Sequence, residues 1–136
     1  MKLHSHLFSV SLLAIAALAV FPPIAQALPK NCGKTFTHDG QNHCVKVETA
    51  SDEGAVLNVV SPLPEGQKGW EYRTYRVLNS CRNIKNPPKT VTLVESHLVD
   101  GSGKMTNHST NNAKIPTDSM GGQLGWQAFL TSCGKN

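Results

Sequence analysis

The 136-residue chain carries 13 lysine and arginine residues against nine aspartate and glutamate residues, a formal net charge of +4 at pH 7. This excess is too small for the dense basic stripe of a dedicated nucleic-acid binder, so a nucleic-acid partner is not expected. It suits a protein with a mild attraction for anionic surfaces, and the length suits one small domain rather than several.

The first 27 residues have the layout of a removable secretion signal. A lysine at position 2 precedes an uncharged apolar run over residues 7–21, and two prolines and small residues lead to a cleavage point between Ala27 and Leu28. The apolar run is short for a membrane span and no second one follows it, so we expect no membrane anchor. The sequence therefore predicts a secreted, extracellular protein whose mature part, residues 28–136, is a single compact β-rich domain. Uptake by a host cell stays open.

All the cysteines lie in the mature part, at positions Cys32, Cys44, Cys81 and Cys133. An even number of cysteines in an exported chain indicates disulfides, and each disulfide adds about 2–4 kcal/mol of stability. Three pairings of four cysteines are possible. Of these we favour the nested one, Cys32–Cys133 with Cys44–Cys81, because its outer bridge ties together two chain ends that otherwise fray.

A zinc site is the competing use of the cluster Cys32, His38, His43 and Cys44, which is compact in the sequence. The spacing contains neither a C-x-x-C nor an H-x-x-x-H pair, and exported thiols normally oxidise. We therefore expect no metal site, and nothing in the sequence indicates a cofactor.

The mature part alternates short apolar, β-branched segments with turns rich in glycine and proline, a pattern typical of strands. The segments expected to be strands are residues 44–48, 55–60, 70–78, 90–94 and 123–131, and a continuation of the fourth segment to residue 99 stays open. In the last of these segments, side chains at a period of two share one face, and these are Leu124, Trp126, Ala128 and Leu130.

The segment from Asp100 to Gly103 is the strongest hairpin signal, because glycine adopts the positive φ that such turns need. The polar segment that follows, residues 104–116, is interpreted as a loop or an irregular edge. The candidate positions for a short helix are residues 52–59 and residues near 118–123. The predicted fold is mainly β, a small disulfide-stapled antiparallel sandwich or open barrel of five to six strands.

One predicted strand combines aromatic and cationic side chains. Alternation along a strand sends Tyr72 and Arg76 to one side and Arg73 and Tyr75 to the other, so either side presents a ring next to a guanidinium. Such a mixture is enriched at interaction hot spots and also stacks on sugars and nucleobases. The alternative is that one side is core and the arginines solvate the other. The predicted binding surface is Trp70, Tyr72, Arg73, Tyr75 and Arg76.

Glu95, His97 and His108 support an alternative interpretation as a small secreted hydrolase. A carboxylate and an imidazole act as base and acid when both line one cleft, and Glu95 and His97 point to the same side of a strand. Arg73 or Arg76 would then stabilise a phosphorane.

This set of side chains, with Cys133 shortly after the last predicted strand, resembles the small secreted guanyl-specific ribonucleases of fungi. Those enzymes have a similar size and disulfide use, and they carry a Glu-Arg-His set on a β-sheet. The resemblance implies a ribonuclease-like or other small hydrolase. The chain departs from the family pattern in two respects: its candidate arginines all precede Glu95, and a long N-terminal helix is not evident.

Asn107-His108-Ser109 is an N-glycosylation sequon in a polar segment, where Asn107 would be an exposed acceptor. The alternative is that the sequon arises by chance, because asparagine and serine are common in this part of the chain.

The export signal, the small size, the cysteines and the lack of a catalytic motif together resemble the small secreted cysteine-containing, effector-like proteins of plant-associated fungi. The resemblance covers the mature chain in layout and composition only, and it transfers no site residue. It implies a monomeric effector or virulence protein that acts by binding a host protein or glycan.

Overall fold

The computed structural model describes residues 27–135, which form one antiparallel sheet and one helix. The strands lie in the sheet in the order in which they occur in the chain, so each pairs with its sequence neighbours, and the sheet is not closed into a barrel. The elements are β1 (Lys34–His38), β2 (Gln41–Ala50), β3 (Ala55–Pro62), β4 (Gly69–Val77), β5 (Thr90–Asp100), β6 (Met105–Pro116) and α1 (Met120–Ser132).

The mainly β fold of the prediction is confirmed, with six antiparallel strands. The second layer is α1 rather than another sheet, so α1 covers one side of the sheet. We call the other side the open face; on β4 it carries Trp70, Tyr72, Thr74 and Arg76. The predicted secretion signal covers residues 1–27, and all of it except Ala27 lies outside the described residues. Within residues 27–135, no helix is long and apolar enough to cross a membrane.

The hydrophobic core lies between the sheet and α1. Alternate residues of β3 and β4 point toward the helix, and the side chains of Leu57, Tyr75 and Val77 are almost completely buried there. From α1, Ala128 and Phe129 complete this layer. The alternation that predicts the central strands thus decides which residues form the core.

The segment predicted as the last strand, residues 123–131, is helical instead. Ser119 caps α1 by accepting a hydrogen bond from the Gly122 backbone N–H at 3.2 Å. Leu124 and Ala128 are four residues apart and therefore share one helical face. Gly125 lies against the ring of Tyr75, where a Cβ atom would be 2.7 Å from the ring carbon Cδ1. The apolar spacing fits both periods, and packing against the sheet selects the helix.

Residues 104–116, interpreted as a loop or an irregular edge, contain the edge strand β6. Its side chains are mostly exposed, and its register against β5 shifts at two points. Asn107 and Asn112 adopt positive φ angles of 51° and 43°. Strand pairing uses backbone groups, so a polar segment pairs once the preceding hairpin returns it to β5. That hairpin is confirmed: Asp100 accepts from the backbone N–H of Ser102 and of Lys104, both at 2.9 Å.

The disulfides differ from the favoured pairing: Cys32 bonds to Cys44, and Cys81 bonds to Cys133. The β1–β2 hairpin explains the first bond, because its register places the residues just before β1 beside the middle of β2. The second bond joins the loop after β4 to the C-terminal end of α1. Each end of the segment over residues 27–135 is therefore tied to a nearby part of the chain, and no disulfide ties these two ends to each other.

Candidate functional site

The predicted binding surface divides between the two sides of the sheet. Trp70, Tyr72 and Arg76 lie on the open face, whereas Arg73 and Tyr75 point toward the α1 side. Tyr75 is 1% exposed and donates a hydrogen bond to the Gly121 carbonyl oxygen at 3.0 Å. Burial raises its pKa to about 12. The prediction that Tyr75 is a contact residue is wrong, because its ring fills the core.

Side chains on the open face hold each other in fixed orientations. The Tyr72 ring stacks on the His97 imidazole with 4.9 Å between centroids and 7° between planes. Thr74 donates to the Asn58 side-chain oxygen at 2.9 Å. Rings and polar groups on this face are thus ordered before any partner arrives.

The three residues of the predicted hydrolase site meet on the open face. His108 Nε2 lies 3.3 Å from Glu95 Oε2, and the His108 and His97 ring centroids are 6.3 Å apart. The side chains of Glu95 and His108 are 43% and 52% exposed, so water reaches both. A carboxylate in contact with one imidazole, with a second imidazole nearby, is a suitable set for proton transfer.

The segment before β1 forms one wall of a cavity of about 320 Å³ on the open face. Lys30 and Lys46 line it, together with Tyr72, Glu95 and His97. The Cys32–Cys44 disulfide fixes this wall to β2. The cavity therefore joins the stacked ring pair to two lysines and one carboxylate.

A second, larger cavity of about 590 Å³ lies on the α1 side of the sheet, next to the first turn of the helix. We call it the helix-side cavity and define its polar floor by His43, Ser61, Glu71 and Arg73. Glu71 and Arg73 are partly exposed and form an ion pair, with a hydrogen bond of 2.9 Å from Arg73 Nη2 to Glu71 Oε1. The predicted binding residue Arg73 belongs to this floor.

The side chains of His43 and Ser61 on this floor are buried and hydrogen-bonded to each other. Ser61 Oγ lies 2.8 Å from His43 Nδ1, and His43 Nε2 lies 3.2 Å from the His38 carbonyl oxygen. A carbonyl oxygen only accepts, so Nε2 carries the proton, Nδ1 is the acceptor and the Ser61 hydroxyl donates. Burial lowers the pKa of His43 from its ordinary value of 6.5, and the hydrogen bond to the His38 backbone opposes this shift in part.

Sequence reasoning missed the pair of His43 and Ser61. These residues are 18 positions apart and become neighbours only through the β2–β3 register. A local signal existed for the strand that leads to His43: Asp39-Gly40, with φ angles of 55° and 75°, is a two-residue hairpin turn that also predicts β1.

Two of the remaining predictions concern surface chemistry. Asn107 is exposed on β6, which makes it accessible as an acceptor, and its glycosylation stays a prediction.

In the part of the chain that the structure describes, no three His, Cys, Asp or Glu side chains converge as a metal site would require. The cysteines considered for zinc are joined in a disulfide.

Comparison of the chain with protein-family models, curated proteins and solved structures found no match. Arguments about function therefore rest on the chain's own residues.

Proposed function

We propose that the protein is a secreted, effector-type interaction protein that binds a host protein or glycan through its open face. The observation that carries the proposal is an ordered set of rings and charges on the side of the sheet that α1 does not cover. Trp70, Tyr72 and Arg76 from the predicted surface belong to this set, and His97 extends it.

The chemistry of these side chains suits recognition. Aromatic rings and guanidinium groups are the residues most enriched at interaction hot spots, because they give large contact areas and planar hydrogen bonding. Tyr72 and Trp70 are partly buried against neighbours, and Arg76 is exposed. The stack of Tyr72 on His97 holds both rings in place before a partner binds, which reduces the entropy cost of binding.

The presence of two disulfides supports a role outside the cell. Both bonds lie in the described part of the chain, and disulfides persist in oxidising compartments. They hold the segment before β1 and the end of α1 in place, so the open face keeps its shape without a large core.

The test is a binding comparison with the oxidised protein exported from cells that express the full chain. The bait is compared with a Tyr72→Ala/Arg76→Ala variant in pull-downs from host extract and on a glycan array. Each hot-spot truncation costs about 1 kcal/mol or more, so the double variant should bind an identified partner about 30-fold more weakly or worse.

The matched control is Arg82→Ala/Met120→Ala, which removes one arginine from the loop after β4 and one exposed apolar side chain from α1, away from the open face. It should bind like the parent protein. If this control loses the partner and the open-face variant keeps it, the proposed surface is wrong.

A second candidate function is hydrolysis at Glu95, His97 and His108. The observation that favours it is the contact between His108 and Glu95, with His97 beside them on the same face. In a ribonuclease-like reaction Glu95 or one imidazole would remove a proton from the attacking hydroxyl, and another imidazole would protonate the leaving oxygen.

Turnover of RNA and of glycans by the parent protein tests this second candidate. His97→Ala should lower any turnover by about 100-fold or more, the usual contribution of general acid–base catalysis. His38→Ala is the control, because His38 lies on the α1 side, next to the helix-side cavity. The absence of turnover in the parent protein rejects the hydrolase.

A further inference from the structure

The helix-side cavity has a mixed lining that is unusual for the edge of a core. Its walls are apolar and include Leu63, Leu98, Met120 and Leu124, whereas its floor is built of His43, Ser61, Glu71 and Arg73. Ligand sites for small molecules are of this size, a few hundred Å³, and combine apolar walls with a few convergent polar groups. The cavity thus suits a small molecule with an apolar body and one polar end.

The floor holds a hydroxyl, an imidazole and a carbonyl oxygen in a hydrogen-bonded chain. The Ser61 hydroxyl donates to His43 Nδ1, and His43 Nε2–H donates to the His38 carbonyl oxygen, at 2.8 and 3.2 Å. This chain has the parts of an activated nucleophile: a hydroxyl, a base within hydrogen-bond reach and a third group that orients the base. The backbone carbonyl takes the place of the usual carboxylate.

Charge on the floor is also arranged for this chemistry. Glu71 pairs directly with Ser61 across β3 and β4, and Arg73, two residues further along β4 on the same side of the sheet, pairs with Val59. One nitrogen of Arg73 is hydrogen-bonded to Glu71, and a guanidinium has five N–H donors in all. The remaining donors provide positive charge beside the floor, where an acyl oxygen would become negative.

We propose that Ser61 is a nucleophile for small apolar esters, with His43 as its base and Arg73 stabilising the oxyanion. This activity is separate from binding at the open face, because the two sites lie on opposite sides of the sheet. Sequence reasoning did not assign Ser61 or His43 to catalysis, and it placed Arg73 in a different candidate site.

The reaction balances without a cofactor. Ser61 Oγ bonds to the ester carbonyl carbon while its proton moves to His43 Nδ1. The bond from that carbon to the alcohol oxygen then breaks, and the departing oxygen takes the proton from His43. Water attacks the resulting Ser61 ester with His43 again as base, which releases the acid and restores the hydroxyl.

A fluorophosphonate probe tests the proposal because it reports the nucleophile even when the natural ester is unknown. Ser61 Oγ would bond to phosphorus and expel fluoride, and the adduct would appear as a mass increase of the intact protein, exported from cells that express the full chain. Peptide mapping should locate it at Ser61. Parallel hydrolysis of 4-nitrophenyl butyrate should be lost in the labelled protein.

Two variants separate reactivity from structure. Ser61→Ala should abolish labelling. Ser96→Ala should label like the parent, because Ser96 pairs with Arg73 on the same side of the sheet but, among residues 27–135, is not hydrogen-bonded to a histidine. His43→Gln should slow labelling about 100-fold or more, because the amide does not accept the proton.

The proposal is overturned if the parent protein forms no adduct under conditions that fully label a serine hydrolase. It is equally overturned if the adduct maps to another residue. Should Ser61→Ala fail to fold, the mapping of the parent adduct and the labelling rate of His43→Gln still decide the matter.

Discussion

The α1 side of the sheet consists of two regions that differ in kind. Beneath the helix, β3 and β4 contribute Leu57, Tyr75 and Val77, all buried. Next to the first turn of the helix, the same strands contribute Ser61 and Arg73 to the helix-side cavity. The alternation of the strands continues unchanged while the chemistry changes from apolar to polar.

The free energy gained by burial accounts for the apolar side chains under α1 but not for the polar side chains of the cavity floor. Apolar side chains under α1 gain about 25 cal/mol for each Å² of surface removed from water. Burying an imidazole and a hydroxyl gives no such gain, and it costs free energy unless the two are hydrogen-bonded. The polar floor is therefore tolerated by the fold rather than required by it, which is typical of functional sites.

The largest expected effect belongs to the apolar region. Phe129→Ala should lower the free energy of unfolding by about 3–5 kcal/mol, because the side chain is 1% exposed and its loss leaves a cavity. Urea denaturation followed by fluorescence measures the change. An effect no larger than that of Ser61→Ala would break the distinction between the two regions.

The two disulfides should differ in how much each adds to the free energy of unfolding. Cys81–Cys133 closes a separation of 52 residues and Cys32–Cys44 closes one of 12. Loop-closure entropy predicts that removing the first by paired serine substitutions costs about 4 kcal/mol, against about 3 kcal/mol for the second. Thermal unfolding of the two double variants gives the order, and the reverse order would contradict the entropic account.

The polar region should make stability depend on pH. Burial lowers the pKa of His43 in the folded protein, so the folded state binds this proton less readily than the unfolded state. Its contribution to stability is complete above about pH 6.5 and falls as the pH decreases, with a slope of at most about 1.4 kcal/mol per pH unit. Urea midpoints of the parent and of His43→Asn between pH 4.5 and 8 isolate this effect. Parallel profiles would remove His43 as the cause.

The smallest effect on stability is expected on the open face. Arg76 is exposed, so Arg76→Ala should change the free energy of unfolding by no more than about 0.5 kcal/mol. The same substitution should weaken partner binding if the proposed function is correct. A large loss of stability would mean that this face is structural, and calorimetry distinguishes the two results.

Much of the sheet was predictable because strand alternation is local. The β-branched run in β3, the aromatic strand β4 and the turn at Asp100 each have their signal within a few residues. The separation of Tyr72 from Tyr75 onto opposite sides follows from the same period of two. What alternation does not decide is which side the helix covers, and this is why Tyr75 was expected at the surface.

The rest depends on contacts between distant parts of the chain. Residues 123–131 satisfy both a strand and a helix pattern, and Gly125 becomes informative only when the Tyr75 ring lies against it. The disulfide pairing follows from the β1–β2 register and from the position of α1. The bond between His43 and Ser61 likewise exists only after β2 and β3 have paired. Apart from the Asp39-Gly40 turn, which joins β1 to β2, none of these features has a local signal in the sequence.

The two edge strands have a consequence for self-association. Within residues 27–135 the sheet ends in β1, which has five residues, and in β6, whose register shifts twice and whose Asn107 and Asn112 have positive φ. A short or irregular edge is a poor template for another extended chain, and natural sheets use such edges against fibril growth. The backbone of the two edge strands therefore provides resistance to edge-to-edge aggregation, independently of any chaperone.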